Sequence, residues 1–208
     1  MTAPWKKIKK DIDETANCYV LAVSGGVDSM FGLNFFKDNL SRDRFVVAHF
    51  DHQIREDSWE DCQLIKNFCD NHGISMYWSK GENITSEVEA RNQRYDFLYR
   101  IKGAAKADKI VTFHHSDDQV ETILLNLMRG RPHHKLAMEK YGESIYRPFL
   151  EISKEDILKE AIKRGVSWRE DSTNSDTKYE RNWLRNEVIP MLNKRRNISK
   201  SILKGLLT

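Results

Sequence analysis

Short apolar runs alternate with longer stretches of helical spacing along the first 130 residues. Runs typical of buried strands occupy residues 19–23, 45–49 and 110–113. Ile74, Met76 and Trp78 alternate with polar residues and predict a further strand between the second and third runs. Spaced apolar residues and N-capping sequences predict helices over 30–40, 58–72, from 86 to about 107, and from the capping sequence 116–119 onward.

Strands that alternate with helices of this length predict βαβ crossovers, which are right-handed and build a mostly parallel sheet covered on both faces. We therefore expect a doubly wound α/β core over residues 1–150. The pattern then changes, and residues 151–208 predict a small helical extension with a basic C-terminus. In this part we expect Ser153 to cap a helix that Gly165 closes, Pro190 to break or kink another, and a terminal helix near 198–206.

Composition narrows the class of protein. The 208 residues are 39% hydrophobic and 31% charged, a balance typical of a soluble folded enzyme. No window approaches ~18 consecutive apolar residues, so we expect no membrane partner and a cytoplasmic protein. The three cysteines form no CxxC pair, which argues against a disulfide framework and against a zinc or iron–sulfur site.

Charge is unevenly distributed although the net charge is only +3. Residues 1–10 carry four lysines and no acid, and residues 182–208 carry six basic residues against Glu187. The two basic ends either bind a polyanion or are frayed, solvated termini, and charge alone does not separate these two interpretations.

The segment Ser24-Gly-Gly-Val-Asp-Ser29 lies directly between the first predicted strand and the first predicted helix. Two glycines allow a tight turn in which backbone N–H groups and serine hydroxyls surround an anion at a helix N-terminus. The segment lacks the lysine of a Walker A loop, which favours retention of pyrophosphate as a leaving group over γ-phosphoryl transfer. Asp28 is then available to a magnesium ion. A plain glycine turn would explain Gly25 and Gly26 but not the serines and the aspartate.

This loop resembles the signature of the PP-loop, or N-type ATP pyrophosphatase, superfamily. Seven further blocks occur in the order found in tRNA(Ile)-lysidine synthetases, so the chain resembles the catalytic domain of that family over about residues 19–192. The blocks are 48–52 with Arg55 and Ser58, 90–95, 114–122, Arg129-Gly130, 147–150, Glu170-Asp171 with Asn174, and 181–185 with Pro190.

The resemblance implies an ATP-dependent ligase that forms a C–N bond on tRNA. In that family, ATP activates C2 of the wobble cytidine of a CAU-anticodon tRNA(Ile) with release of pyrophosphate, and L-lysine then displaces AMP to give lysidine. The implied cofactors are ATP and Mg²⁺, and the implied partners are tRNA(Ile) and L-lysine. The alternatives are a PP-loop tRNA thiolase and a non-catalytic nucleotide- or tRNA-binding protein of the same fold.

The resemblance also implies roles for individual residues. The implied catalytic residues are Asp28, Asp117, Asp118, Glu121 and Arg185, with Asp28 as the metal ligand. ATP is assigned to Ser24, Gly25, Gly26, Val27, Asp28, Ser29, His52 and Arg91. Lysine or tRNA is assigned to Asp118, Glu121, Arg94, Arg129 and Arg181.

Each assignment has a structural alternative. Asp118 and Glu121, three residues apart on one helix face, either hold an amine or stabilise the helix dipole. Arg91 and Arg94 either hold phosphates or pair with acids such as Glu87. For the remaining pairs the alternatives are a solvated basic face for Arg181 and Arg185, a structural role for His49 and His52, and core packing for Cys62 and Cys69.

Three departures from the family change the expectation. Residues 131–136 replace a glycine-rich stretch with charged and histidine residues, and Gln53 stands where glycine is common. The chain ends at Thr208, about where the family's catalytic domain ends. We therefore expect the basic segment 185–204 to bind RNA in place of the family's C-terminal domains, with a homodimer as one arrangement that would allow it.

Overall fold

The computed structural model describes residues 2–53, 57–170, 178 and 180–206. Arg55, Asp171 and Asn174, which belong to the motif blocks, lie outside the described residues. Within the described part, five strands form one sheet in the order β3-β2-β1-β4-β5, and every neighbouring pair is parallel. The strands are β1 Tyr19–Ala22, β2 Phe45–Asp51, β3 Met76–Lys80, β4 Lys109–Val111 and β5 Ile145–Tyr146.

Helices connect these strands and extend beyond them. The described helices are α1 Ala3–Glu14, α2 Val27–Asn39, α3 Ser58–His72, α4 Glu87–Ala104, α5 Ser116–Met128, α6 Lys154–Lys163, α7 Glu180–Trp183, α8 Ile189–Arg195 and α9 Ile198–Leu206. A π-helical segment, Leu184–Val188, joins α7 to α8. The α/β fold with a parallel sheet and a helical C-terminal stretch, as predicted from the alternation of elements, is confirmed.

Alternate side chains of each strand enter two separate cores. Tyr19 and Leu21 of β1 pack in a core with α1, α2, α3 and α6, whereas Val20 faces the opposite side. There it packs with Phe97 and Leu98 of α4. This period-two division places helices on both faces of the sheet, which is what a doubly wound fold requires.

The N-terminal segment is an amphipathic helix that the strand and helix pattern did not predict. Trp5, Ile8 and Ile12 of α1 are buried in the larger core. The ring of Trp5 lies 5.0 Å from that of Phe31 and 5.7 Å from that of Phe149, both in edge-on geometry. The frayed terminus considered for residues 1–10 is therefore wrong, and the four lysines lie on the solvated face of a packed helix.

Glycine allows one close approach between a helix and the sheet. A Cβ atom on Gly32 of α2 would lie 2.1 Å from the ring of Phe113, which follows β4. Since no side-chain atom can occupy that space, hydrogen at Gly32 is what lets α2 settle on the carboxyl end of β4. The start of α2 is thereby held beside the loop that follows β4.

Several local predictions differ from the structure. The strand predicted from Ile74, Met76 and Trp78 is present as β3, but it begins at Met76 and lies at the sheet edge, and Trp78 is 61% exposed. The N-cap of α5 is His115 and not Ser116, since the backbone N–H of His115 donates to the Asp118 carboxylate at 3.0 Å. Pro190 does not break its helix, because it lies in the first turn of α8, directly after the π-helical segment. A proline is tolerated in a first turn, since the N–H that it lacks has no α-helical partner there.

The helical extension packs on the core from its first residues. Ser153 caps α6 by accepting from the N–H of Asp156, and Gly165 follows the helix with a φ of 63°, as predicted. Ile157 and Ala161 of α6 are fully buried in the same core as α1 and α2. The predicted boundary at residue 150 marks a change in sequence pattern. The larger core contains residues from both sides of it.

Candidate active site

The strand order reverses between β1 and β4, and the loops that follow these two strands diverge around one cavity. Such a switch point at the carboxyl edge of a parallel sheet is where open α/β folds bind ligands. The cavity measures about 530 Å³. The residues proposed from sequence that line it are Ser24, Gly26, Val27, Asp28, His52, Arg94, Asp117, Asp118, Glu121 and Arg185.

The loop after β1 has a backbone shape that requires glycine. Gly25 adopts a φ of 96°, and a Cβ atom there would lie 3.0 Å from that of Asp61. The hydroxyl of Ser29 accepts from the backbone N–H of Ser24 at 3.1 Å and donates to the carbonyl of Gly26 at 3.0 Å. Gly25 and Ser29 thus shape the loop from behind and do not line the cavity.

Asp28 projects from the first turn of α2 toward the cavity. Its Oδ2 lies 2.6 Å from Nζ of Lys154 and 3.8 Å from Nε2 of His115. Its Oδ1 is buried and has no hydrogen-bond partner among the described residues. A carboxylate with one unsatisfied oxygen beside an anion cradle fits Mg²⁺, which takes one or two carboxylates together with substrate phosphates.

His115 lies among three carboxylates. Its Nε2 is 3.3 Å from Oδ2 of Asp118, and its Nδ1 is 3.5 Å from Oδ2 of Asp117. Burial opposes the charged imidazole, but Asp117, Asp118 and Asp28 outweigh burial and raise the pKa of His115. The bond from His115 in turn lowers the pKa of Asp117 to about 2. The start of α5 therefore places one imidazole among carboxylates that favour its protonated form.

Glu121 is 1% exposed and is held by two arginines of the helical extension. Nε of Arg181 donates to Oε2 of Glu121 at 2.8 Å, and Nε of Arg185 donates to Oε1 at 2.6 Å. Arg185 also reaches Oδ1 of Asp118 at 3.2 Å. Burial opposes the charge on Arg185, but Glu121 and Asp118 prevail and raise the pKa of its guanidinium. The solvated basic face considered for the two arginines is therefore not what the structure shows.

Arg94, which lines the cavity near His52, belongs to a group of cationic and aromatic side chains. The guanidinium carbons of Arg91 and Arg94 lie 4.8 and 5.2 Å from the ring centre of Tyr95. Nε of Arg94 and the hydroxyl of Tyr95 are buried without hydrogen-bond partners in the described structure. Burial lowers the pKa of Arg94, and burial together with Arg94 lowers the pKa of His52 to about 4.

Some proposed residues lie away from the cavity. Arg129 forms an ion pair with Glu180 at 2.5 Å and is half exposed. Among the described residues, Arg91 packs on Tyr95, and no ion pair with Glu87 is formed. His49, in contrast, lines the cavity, and its Nδ1 lies 2.9 Å from the carbonyl of Val23, the contact expected of a structural histidine.

Two cations at the cavity were missed from sequence. Lys154, the first residue of α6, contacts Asp28, and the ion pairs of Arg169 with Asp57, Glu60 and Asp61 lie beneath Gly25. The backbone N–H of Arg169 also donates to the carbonyl of Gly25 at 3.1 Å. No local pattern marks either residue, since both reach the loop from segments more than a hundred positions away in the chain.

A parallel sheet with a glycine loop after its first strand and a cavity at the switch point defines a nucleotide-binding α/β domain. The sequence matches the PP-loop domain over residues 2–192, and the chain belongs to the PP-loop family. This confirms the superfamily that the Ser24–Ser29 segment indicated.

Curated relatives narrow the comparison. The chain is 36% identical over 185 residues to a tRNA(Ile)-lysidine synthase of Enterococcus faecalis, covering 83% of this chain and 40% of that protein. It is 32% identical over 203 residues to the protein of the same name from Staphylococcus aureus, covering 90% of this chain and 47% of that protein. The chain thus spans less than half the length of the curated relatives it matches.

The structure is also similar to solved PP-loop structures. The U34-tRNA thiolase NcsA of Methanococcus maripaludis, solved with its [4Fe-4S] cluster, aligns with a TM-score of 0.75 at 17% identity, covering 97% of this chain and 78% of that chain. At this identity the likeness shows the fold. The cavity lining of the present protein, within its described residues, contains none of Cys18, Cys62 and Cys69. Burial, with Asp70 nearby, raises the pKa of the Cys69 thiol to about 12.

None of the helices in the described part of the chain is long and apolar enough to cross a membrane. Among the same residues, no group of three or more histidine, cysteine and acidic side chains forms a metal cluster. A single carboxylate with substrate phosphates, as described for Asp28, is a different kind of metal site.

Proposed function

We propose that this protein is a tRNA(Ile)-lysidine synthetase. It uses ATP to activate C2 of the wobble cytidine of a CAU-anticodon tRNA(Ile) and joins lysine to that carbon, releasing AMP and pyrophosphate. One observation carries the proposal: Ser24, Gly26, Val27 and Asp28 of the glycine loop line the same cavity as the acidic pair Asp118–Glu121. An anion cradle and an amine-binding pair at one site are what a ligase joining an amine to a nucleotide-activated base needs. The names of the curated relatives support it.

In the activation step, O2 of the cytidine attacks the α-phosphorus of ATP, and the bond from that phosphorus to the β-phosphate oxygen breaks. The cradle 24–29 would hold the phosphate chain, with N–H groups at the start of α2 directed at its oxygens. Magnesium, when bound, would neutralise charge on the leaving pyrophosphate, and Asp28 with its unpartnered Oδ1 would hold it. His52, kept neutral by its low pKa, and Arg91 are proposed to contact the nucleotide.

In the second step, the ammonium group of lysine gives one proton to a carboxylate of the acidic pair, the free amine attacks C2, and the bond from C2 to the AMP oxygen breaks so that its electron pair leaves with AMP. Asp118 and Glu121 would hold the ammonium group near the reacting carbon, since two carboxylates on one helix face match one cation. Arg185, bonded to both carboxylates, would fix their orientation and contact the phosphate at which negative charge develops. Asp117 would act through His115, whose position it sets.

The cationic and aromatic cluster around Arg94 is the proposed binding surface for the tRNA. Arg94 and Tyr95 keep buried polar atoms without partners, and Nε of the neighbouring Arg147 is in the same state. Unsatisfied buried donors beside an aromatic ring fit an unstacked nucleotide, which offers phosphate oxygens, base edges and a π-face together. Arg181 and Arg129, on the rim formed by α7 and the end of α5, are proposed to contact the same RNA.

The proposal is tested with ATP, magnesium, labelled lysine and two tRNA(Ile) transcripts, one with the CAU anticodon and one with its cytidine replaced. We expect label on the first transcript only, with one AMP and one pyrophosphate formed for each lysine attached. Asp118→Asn and Glu121→Gln are expected to abolish labelling. Glu187→Gln, an exposed change on the π-helical segment, serves as the matched control.

Other outcomes would contradict the proposal. Cleavage of ATP to AMP and pyrophosphate without lysine attachment would show an activating enzyme with another acceptor, as a thiolase would be. No cleavage, with tRNA still bound, would favour a non-catalytic binding protein of the same fold.

A further inference from the structure

Lys154 brings an ammonium group to a loop that has no cation of its own. The segment Ser24–Ser29 carries one charged side chain, the carboxylate of Asp28. Nζ of Lys154 lies 2.6 Å from Oδ2 of Asp28, although the two residues are 126 positions apart. A pyrophosphate group carries several negative charges, so a cradle whose only charge is negative needs cations from elsewhere.

The backbone around Lys154 is fixed to the opposite wall of the cavity. The N–H of Lys154 donates to Oδ2 of Asp117 at 2.9 Å, and the N–H of Ser116 donates to the carbonyl of Ile152 at 2.8 Å. The start of α6 is thus joined to the start of α5. The flexible side chain of Lys154, 42% exposed, then spans from this anchored base to the glycine loop.

Arg185 and Arg169 also line the cavity but are held by acids outside the loop, and Arg94 packs on Tyr95. Arg185 is held by Glu121 and Asp118, and Arg169 is held by acids of the α3 region beneath Gly25. In the described part of the lining, Lys154 is the one lysine or arginine whose side chain forms an ion pair with a residue of the loop.

We propose that Lys154 binds the β- and γ-phosphate oxygens of ATP and then the departing pyrophosphate. It does so from the start of α6, as the lysine of a Walker A loop does from within its loop. When the bond between the α-phosphorus and the bridging oxygen breaks, that oxygen leaves with the electron pair, and the ammonium group stabilises its charge without giving up a proton. The inference rests on the proposed use of ATP but not on lysine or tRNA as substrates.

The arrangement without nucleotide is consistent with this role. The ammonium group neutralises Asp28 while no phosphate is present, and both groups become available together when ATP with magnesium enters. Lys154 would then turn from one anionic partner to another within the reach of its side chain.

The test measures binding of magnesium pyrophosphate and of magnesium ATP by isothermal titration calorimetry with no lysine or tRNA present. Lys154→Met is compared with Lys154→Arg and with Lys159→Met, a control on the same helix whose ammonium pairs with Glu155 at 2.5 Å in solvent. We expect Lys154→Met to weaken pyrophosphate binding at least about tenfold, Lys154→Arg to retain most of it, and Lys159→Met to leave it unchanged. Thermal unfolding of each variant shows whether it is folded.

A purely structural ion pair predicts a different result. In that case Lys154→Met lowers the melting temperature while pyrophosphate binds as before, or more tightly because Asp28 is relieved of a competing cation. Either result overturns the inference. Because pyrophosphate and ATP binding are read directly, the inference can hold even if lysine attachment fails, and it can fail even if the protein attaches lysine.

Discussion

Arg185 donates through Nε to Oε1 of Glu121 at 2.6 Å and through Nη2 to Oε2 at 2.9 Å. Two N–H groups of one guanidinium therefore bind both oxygens of a carboxylate that is 1% exposed. Arg181 adds a further bond to the same carboxylate at 2.8 Å. These bonds fasten the helical extension to α5 over the cavity. Any amine that reaches Glu121 has to displace part of this arrangement, so binding at the acidic pair and movement of residues 180–195 are coupled.

Replacing Glu121 tests this coupling. Glu121→Gln leaves two guanidinium groups without their buried carboxylate, and removal of one partner of such a pair is strongly destabilising. We expect amides of residues 180–195 to lose hydrogen-exchange protection by about tenfold or more, while strand β1 stays protected. Hydrogen exchange read by mass spectrometry measures both regions, and Glu187→Gln on the same segment is the control. Unchanged protection over 180–195 would show that apolar packing, not the ion pairs, holds the extension.

Two glycines make a matched pair for stability. Ala at position 32 places a Cβ 2.1 Å from the ring of Phe113, so Gly32→Ala is expected to lower the free energy of unfolding by at least about 2 kcal/mol. Gly103, in the last turn of α4, has nothing within 4 Å of the same added atom. Gly103→Ala is therefore expected to stabilise by about 0.5 kcal/mol. Urea unfolding of the two variants measures both; equal effects would contradict the close approach of α2 to β4.

His52 is expected to make the free energy of unfolding depend on pH. Burial and Arg94 lower its pKa to about 4 in the folded protein, below the ordinary histidine value of 6.5. Between these values the unfolded chain binds a proton that the folded state refuses, so the free energy of unfolding falls as pH falls from 6.5 toward 4. His52→Gln is expected to remove about 1–2 kcal/mol of this loss once solvent screening of the ring is allowed for. Denaturation curves at pH 7 and pH 4.5 measure the difference, and an unaltered pH dependence would show that His52 does not contribute.

We predict that Arg94 lowers the stability of the protein without ligands and strengthens its binding of tRNA. Its buried Nε lacks a partner, and burial lowers the pKa of its guanidinium, so the charge is unfavourable in the protein without ligands. Arg94→Met should raise the melting temperature, with a gain of about 1 kcal/mol, and weaken binding of tRNA. Differential scanning calorimetry and a filter-binding titration measure the two effects. The exposed Arg100 of the same helix provides the control variant Arg100→Met. A lower melting temperature with unchanged RNA affinity would identify Arg94 as a structural residue.

Much of the fold was accessible from local patterns. Buried strands of a parallel sheet are short apolar runs, and caps such as Ser153 mark helix starts, so element order and fold class followed without the structure. The amphipathic helix α1 was missed because three buried side chains among four lysines resemble a charged terminus until Phe31 and Phe149 are placed beside Trp5. The strand that contains Trp78 was predicted, but alternation does not show that this strand lies at the sheet edge or that Trp78 is exposed.

The sequence by itself determined the glycine loop 24–29 and the acidic pair on α5, since both are encoded within a few consecutive residues. Tertiary structure decided which charges meet: Lys154 with Asp28, and Arg185 with Glu121. Partners so distant in the chain are set by the order of strands and the packing of helices. The spacing of residues along the chain indicates which face of its own helix or strand a side chain occupies. It does not indicate strand order or helix packing, and so it does not show which residue that face contacts.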